Sequence, residues 1–104
     1  MAPVKLDIPR DRLADFCRKW KIAELSLFGS VLREDFGPGS DVDVLVEFAA
    51  DAQVSSFDLL DMREELAVLF GRPVDILTRR SVERSSNAWK RAAILGQAQR
   101  VYAA

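Results

Sequence analysis

The chain has 104 residues, of which 49% are hydrophobic and 30% charged, and its formal net charge is -1. This length predicts one domain, residues 1–104, with a single core and no separate substrate-binding domain. The charge excludes a strongly basic protein, so we expect no direct binding to duplex DNA. No apolar run is long enough for a membrane span, and residues 1–10 contain no apolar signal-peptide core, so we expect a cytoplasmic protein.

The counts of histidine and cysteine limit the catalytic chemistry that is available to the chain. Histidine is absent, and Cys17 is the only cysteine. These counts exclude an internal disulfide, Ser-His-Asp and Cys-His nucleophiles, and the usual zinc sites. Catalysis would therefore depend on carboxylates, hydroxyls, lysines and arginines, and Cys17 is predicted to be a small buried apolar residue.

The first predicted elements are a helix and a strand. Residues 9–20 are predicted to form an amphipathic helix that begins at Pro9, because apolar residues recur at helical spacing: Leu13, Phe16, Cys17 and Trp20. Residues 22–28 (IAELSLF) predict a strand that ends at Gly29. A short helix is expected after the Gly29-Ser30 turn.

Residues 41–48 predict a second strand with two different faces. One face is apolar and consists of Val42, Val44, Val46 and Phe48. The other face carries Asp41, Asp43, Leu45 and Glu47. The apolar face is expected to lie against the core.

The second half of the chain predicts two more helices and a strand. Ser55 and Asp58 resemble a capping box, and the helix that they begin is expected to end before Gly71. Residues 74–77 predict a short strand, and residues 83–101 predict a final helix. Trp20 and Trp89 are predicted to be core residues, with Trp89 or Tyr102 as a partner anchor in the alternative interpretation.

This order of elements predicts a small sheet with helices packed mainly on one face, an α/β or α+β fold. Asp41 and Asp43 would project from the same strand face about 6.5 to 7 Å apart. Asp75 would point the same way from the later strand. If the two strands are neighbours, three carboxylates meet on one uncovered face, and such a group would suit Mg²⁺.

A glycine turn would complement that metal site. Gly29 lets the backbone approach a ligand closely, and Ser30 adds a hydroxyl at a strand-to-helix turn where N–H groups can bind phosphate. Metal and phosphate together indicate a nucleoside triphosphate site. An isolated Asp-x-Asp pair would more simply be two solvent-facing strand residues, but the Gly-Ser spacing and Asp75 favour the site.

Gly29-Ser30, ten intervening residues and Asp41-x-Asp43, followed later by Asp75, resemble the nucleotidyltransferase signature of the DNA polymerase beta-like superfamily. The stretch "SDVDVLVEF" and the chain length are most similar to the minimal nucleotidyltransferase (MNT) proteins. The resemblance implies a small mixed β-sheet, Mg²⁺ on Asp41 and Asp43, and triphosphate on Gly29 and Ser30. It also implies that Asp75 is a third metal ligand or activates the attacking hydroxyl.

The resemblance further implies a function. Many MNT proteins are antitoxins that transfer AMP from ATP onto a HEPN-domain toxic ribonuclease, and the expected partner is such a toxin, with a mixed oligomer as one form of the complex. Arg33 stands where the family has a basic residue and is a candidate phosphate ligand. Glu34 stands where many members have glycine, and an acid there would repel a triphosphate.

Two alternatives remain open from the sequence. The chain could be an antitoxin that neutralises its partner by contact alone, which Glu34 favours. It could instead be a small-molecule nucleotidyltransferase, although such relatives generally carry a further helical domain. Glu47 lies on the aspartate face but farther along the strand, where an exposed structural role is expected, and Ser40 is predicted to be a turn residue.

Overall fold

The computed structural model describes residues 8–29 and 41–104. Within them the elements are α1 (Arg10–Lys19), β1 (Ile22–Phe28), β2 (Val42–Phe48), α2 (Ser56–Phe70), β3 (Val74–Thr78), α3 (Arg79–Glu83), α4 (Ala88–Gln97) and β4 (Gln99–Ala103). The strands form one sheet in the order β3-β2-β1-β4. β1 is antiparallel to both of its neighbours, whereas β2 and β3 are parallel. The predicted fold class, a small mixed sheet with helices, is confirmed; the predicted short helix after Ser30 lies outside the described residues.

The main core lies between one face of the sheet and the helices α1 and α2. The valines of β2 that were predicted to face inward are fully buried there, together with residues of β1 and of both helices: Val42, Val44, Val46, Leu25, Leu27, Leu13, Cys17, Met62 and Leu66. Full burial of one such aliphatic side chain contributes about 1.5 to 3 kcal/mol. This face therefore holds β2 and its neighbours in one register.

α2 connects the two parallel strands, which a tight turn cannot do. Its start is fixed by a capping box: the Ser55 hydroxyl accepts from the Asp58 N–H at 3.2 Å, and the Asp58 carboxylate accepts from the Ser55 N–H at 3.0 Å. Its end is fixed by Gly71, whose φ is +69°. Both boundaries agree with the sequence prediction.

A second, smaller core lies on the opposite face of the sheet. Leu45 of β2 is buried there beneath Val82 of α3 and Ile94 of α4. The aspartate-bearing face was expected to be uncovered, and that expectation is wrong for its Leu45 end. The cover comes from α4, which lies within the predicted helix 83–101, and from α3, which the sequence prediction did not include.

The prediction of a single helix over residues 83–101 is also wrong. This segment begins at the last residue of α3, passes through a break at residues 84–87 and α4, and ends within the strand β4. The Thr78 hydroxyl accepts from the Ser81 N–H at 3.1 Å and caps α3, and the Asn87 carboxamide accepts from the Lys90 N–H at 3.0 Å and caps α4. The last residues pair with β1 instead of continuing the helix.

The two tryptophans have different environments. Trp20 is half-buried against the main core and donates from Nε1 to a Glu65 carboxylate oxygen at 2.6 Å. Trp89 is 88% exposed, so its prediction as a core residue is wrong. Tyr102 is partly buried against the main core.

Cys17 is fully buried, as predicted. Burial raises the pKa of its thiol to about 12, against a smaller lowering by Arg18. Within residues 8–29 and 41–104, no helix is both long and apolar enough to cross a membrane.

Candidate active site

Two of the predicted metal-binding carboxylates lie on neighbouring strands at the same level of the sheet. Asp43 of β2 and Asp75 of β3 are register partners, just as Val42 is the partner of Val74 in the core-facing row. Neighbouring strands lie about 4.8 Å apart, and register partners point to the same face. Asp43 and Asp75 therefore share the face opposite the main core, Asp43 half-buried and Asp75 exposed.

Asp41 lies immediately before β2 and is exposed. The backbone pairing reaches back to this level, because the Val42 N–H donates to the Pro73 carbonyl at 2.9 Å. The start of β2 is thus held against the segment that leads into β3. Asp41 and Asp75 consequently lie at the same end of the two parallel strands.

The end of β1 brings Gly29 against the Asp43 carboxylate. Phe28, the last residue of β1, is the register partner of Asp43. Gly29 follows with φ of +74°, and a Cβ on it would lie 2.2 Å from Oδ2 of Asp43. Any side chain here would displace the carboxylate, and its backbone would be strained as well. Glycine at this position therefore allows the turn after β1 to lie directly against the Asp43 carboxylate.

This arrangement fits a magnesium ion and a phosphate in the chemistry of its donors. Mg²⁺ is commonly held by one or two carboxylates, with water and substrate phosphate oxygens as the remaining ligands. Asp43 and Asp75 provide two carboxylates on one face, and their mutual repulsion would be relieved by a cation. In the part of the chain that the structure describes, no group of three acidic, cysteine or histidine side chains forms a metal site. The three-carboxylate set of Asp41, Asp43 and Asp75 stays a prediction.

The other predicted ligands fall outside the described residues. Ser30 and Arg33, predicted to bind the nucleotide, lie there, as do Glu34 and Ser40. Glu47, farther along β2, lies 3.7 Å from Arg79 of α3 in an ion pair. Its contact supports the structural role expected for it.

The sequence prediction missed that α3 and α4 cover the sheet face next to the candidate site. Leu45 and Leu77 are each two residues beyond an aspartate on the same face, and both contact the second core. A signal was available: Ser85, Ser86 and Asn87 are helix-capping and turn residues near the start of the predicted helix. The carboxylates thus lie beside a helical cover instead of on an open sheet.

Paired aspartates on adjacent strands, with a glycine turn against one of them, on a small mixed sheet define a nucleotidyltransferase. The family comparison agrees, because the model described as "Nucleotidyltransferase domain" matches residues 10–97. The chain belongs to the nucleotidyltransferase domain family. The prediction of this family is confirmed.

Similar proteins are known from Methanocaldococcus jannaschii. One, named "Putative protein adenylyltransferase MJ1379", is 34% identical over 64 residues, which are 62% of this chain and 64% of that protein. Another, "Putative protein adenylyltransferase MJ0435", is 38% identical over 64 residues, 62% of this chain and 67% of that protein. The match to the first thus spans less than two thirds of its length.

Solved structures share the fold. One described as "Structure of putative minimal nucleotidyltransferase" has a TM-score of 0.65 at 27% identity, with 86% of each chain covered. A toxin-antitoxin complex with AMP-PNP has a TM-score of 0.70 at 20% identity and covers 93% of this chain and 75% of that one. A complex of a tri-AMPylated Shewanella oneidensis HEPN toxin with an MNT antitoxin has a TM-score of 0.62 at 21% identity. The match covers 91% of this chain and 70% of that one.

Proposed function

We propose that the chain transfers AMP from Mg-ATP to a hydroxyl group of a partner protein, and that this partner is a HEPN-type toxin which the modification neutralises. The observation that carries the proposal is the pairing of Asp43 with Asp75 beside Gly29. Two carboxylates on one strand face beside a glycine turn suit a metal-bound triphosphate. The reaction uses ATP, so a cytoplasmic site of action is expected.

The named carboxylates have separate roles in this proposal. Asp41 and Asp43 would hold Mg²⁺, which when bound neutralises triphosphate charge and lowers the pKa of the acceptor hydroxyl. Asp75 would be a third ligand or the base that accepts the hydroxyl proton. The backbone at Gly29, with Ser30 and Arg33, would orient the triphosphate.

The transfer is an in-line displacement at the α-phosphorus. The acceptor oxygen forms a bond to that phosphorus while the bond to the β-phosphate oxygen breaks, and pyrophosphate leaves. The acceptor proton passes to Asp75 or to solvent. The partner then carries one AMP ester for each hydroxyl modified.

The proposed partner is supported by the neighbours in fold. Two of these are toxin-antitoxin complexes, one with AMP-PNP and one whose HEPN toxin is tri-AMPylated. The curated relatives are named as protein adenylyltransferases. A protein substrate also fits a domain of this size, because another protein can present the acceptor.

Intact-mass spectrometry tests the proposal directly. A purified HEPN-type toxin is incubated with the chain and Mg-ATP, and its mass should rise by one or more AMP groups. Asp41→Asn/Asp43→Asn should abolish the gain. Glu47→Gln is the matched control, since Glu47 lies on the same strand and the same face but pairs with Arg79.

Two results would change the assignment. If the partner's mass stays constant while the double variant still binds and silences it, the chain acts as a contact antitoxin and the transferase proposal is wrong. If AMP appears on a small molecule and on no protein, the acceptor class is wrong but the site is retained.

A further inference from the structure

The charges of the chain are divided unequally along its length. Residues 79–104 contain six lysines and arginines and a single acid, Glu83. Residues 1–78 contain nine basic residues against fifteen acids. An almost neutral protein therefore combines an acidic body with a basic C-terminal part, and most of that basic charge is on α3, α4 and the segment between them, residues 79–97.

Part of this positive charge has no ion-pair partner among residues 8–29 and 41–104. Arg79 is paired with Glu47 and Arg100 with Glu24, at 3.7 and 3.1 Å. Three other cations, Arg80, Arg84 and Lys90, are exposed, and their side chains form no ion pair with any residue of the described ranges. Exposed cations on α3, on the start of α4 and on the segment between them can attract and orient an anionic partner.

A small cavity between α3 and α4 adds a binding point to this surface. Its volume is about 250 Å³, and its lining combines cations and hydroxyls with an apolar base: Lys90, Arg91, Ser81, Ser85, Leu77, Val82 and Ile94. Arg91 is held in place because its guanidinium donates to the Ser85 carbonyl at 3.0 Å. The cavity has the size and the donors to receive one carboxylate side chain.

Trp89 lies next to Lys90 on the first turn of α4, and 88% of it is exposed. The Asn87 cap fixes this turn, so the indole is presented by a helix and not by a loose loop. Large aromatic side chains of this kind are common anchors in protein interfaces. The α3–α4 surface thus combines unpaired cations, a cavity and an exposed aromatic ring.

This surface lies beside the paired aspartates. Val82 and Ile94 cover Leu45, which is two residues beyond Asp43 on the same strand face. Two strand residues span about 6.6 Å. The cavity is also lined by Leu77, which is two residues beyond Asp75 on the same strand face, so a segment that enters the cavity would lie near the aspartate pair.

We propose that the α3–α4 surface is the docking site for an acidic, hydroxyl-bearing segment of the protein that this enzyme modifies. A carboxylate of that segment enters the cavity at Lys90 and Arg91, Trp89 packs against its apolar residues, and its hydroxyl reaches the aspartate pair. The inference rests on the proposed function, because it assigns the acceptor to a surface of this chain.

An acidic protein segment suits the surface better than RNA does. A nucleic acid carries phosphates along its whole length, and the adjoining body of the chain has fifteen acids against nine bases. A protein segment can concentrate its carboxylates at the basic surface and leave neutral residues near Asp43 and Asp75. RNA binding is retained as an outcome of the test.

The test uses three fluorescently labelled probes with the full chain: a tyrosine-containing peptide rich in Asp and Glu, its Asn and Gln counterpart, and a short single-stranded RNA. The acidic peptide should bind about tenfold more tightly than its neutral counterpart, with an affinity that falls as salt rises. Arg84→Glu/Lys90→Glu should weaken acidic-peptide binding about tenfold, and Trp89→Ala should weaken it separately.

The controls lie on the opposite side of the sheet. Arg63→Glu reverses an exposed cation of α2, and Phe57→Ala removes an aromatic side chain that is 79% exposed. Neither should change peptide binding, and calorimetric Mg-ATP binding should be unchanged in all of these variants. Equal binding of the acidic and neutral peptides, or RNA binding tighter than that of the acidic peptide, would overturn the docking proposal.

Failure of docking and failure of catalysis are distinguishable. Salt-sensitive peptide binding without any AMP gain by mass, on peptide or partner, would retain the docking site and reject the transferase. AMP transfer to the partner that is unaffected by Arg84→Glu/Lys90→Glu would retain the transferase and reject the docking site.

Discussion

Gly29 and Asp43 are in such close contact that a single Cβ on Gly29 would lie 2.2 Å from the Asp43 carboxylate oxygen. The glycine belongs to the end of β1, and the aspartate is the register partner of the residue before it. The sequence motif that joins Gly29 to Asp43 across thirteen intervening residues is thus a direct spatial contact. Its first consequence concerns substitution of the glycine.

Gly29→Ala should abolish Mg-ATP binding, because the new methyl group forces the Asp43 carboxylate out of position. Gly71→Ala is the matched control: its φ of +69° is similar to that of Gly29, but nothing lies within 4 Å of the added Cβ. Both variants should lose about 1 to 2 kcal/mol of unfolding free energy through left-handed strain. Urea denaturation measures this shared loss, and calorimetry should show loss of Mg-ATP binding for Gly29→Ala alone. Nucleotide binding by Gly29→Ala would contradict the site.

Asp75→Asn should have opposite effects on stability in the absence and in the presence of Mg²⁺ and ATP. Like charges opposite each other on neighbouring strands are destabilising, so in EDTA the variant should be more stable by about half a kcal/mol. With Mg²⁺ and ATP the wild-type chain should gain more stability than the variant, because a bound ligand stabilises the folded state. Melting temperatures in the two buffers measure this, and an equal gain for both proteins would exclude Asp75 from the site.

Glu65 should contribute stability that is lost in acid. Burial raises the pKa of Glu65, but hydrogen bonds from Lys19 and Trp20 outweigh this effect. The pKa of Glu65 therefore lies below its ordinary value of 4.5. A lowered folded-state pKa means that the stabilisation is present above the unfolded pKa and disappears as pH falls through the folded one. Glu65→Gln should cost about 1 kcal/mol at neutral pH and less in acid.

Urea denaturation of the wild-type chain and Glu65→Gln between neutral pH and about pH 3 provides the measurement. Trp20→Phe, which removes the indole N–H, should produce part of the same loss. A difference between wild type and Glu65→Gln that grows on acidification would contradict the assigned contacts.

Cys17 should destabilise the chain at alkaline pH. Its thiol has a pKa of about 12 in the folded chain, against an ordinary value of 9.0 that applies to the unfolded chain. The unfolded state therefore loses the thiol proton first as pH rises. The unfolding free energy should therefore fall above pH 9.0 and continue to fall up to about pH 12. Cys17→Ala should lack this dependence, as measured by urea denaturation at increasing pH.

Thiol labelling provides a second check on Cys17. A disulfide reagent should react with the native chain only as fast as the chain opens, because Cys17 is fully buried. Rapid labelling under native conditions would show that the thiol is accessible and would remove the basis of the alkaline prediction.

The sequence predicted the elements whose signals are local. The Ser55–Asp58 capping box fixed α2, and the alternation of valine and aspartate fixed the face of β2. Residues 99–103 adopt a strand because β1 offers an unpaired edge, which no pattern within those residues specifies. Trp89 has helical spacing with Ala92 and Ala93, but spacing does not reveal which side of a helix meets a core.

The candidate site was predictable to a similar extent. The spacing of Gly29 and Asp43 indicated a shared site, and β2 and β3 are indeed neighbours, so Asp43 and Asp75 lie on one face. The cover over Leu45 was not predictable, because it depends on the packing of α3 and α4 against the sheet. The charge counts alone did not reveal the basic surface, because it depends on where α3 and α4 lie in the fold.

The parallel pairing of β2 and β3 ties enzymatic competence to complete folding. Gly29 follows β1, Asp43 is on β2 and Asp75 is on β3, and α2 connects β2 to β3. No fragment or partly folded intermediate can assemble the carboxylates, so activity should disappear in the same cooperative transition as the sheet. A nascent or heat-damaged chain would therefore be inert as a whole, and its activity would serve as a readout of the folded population.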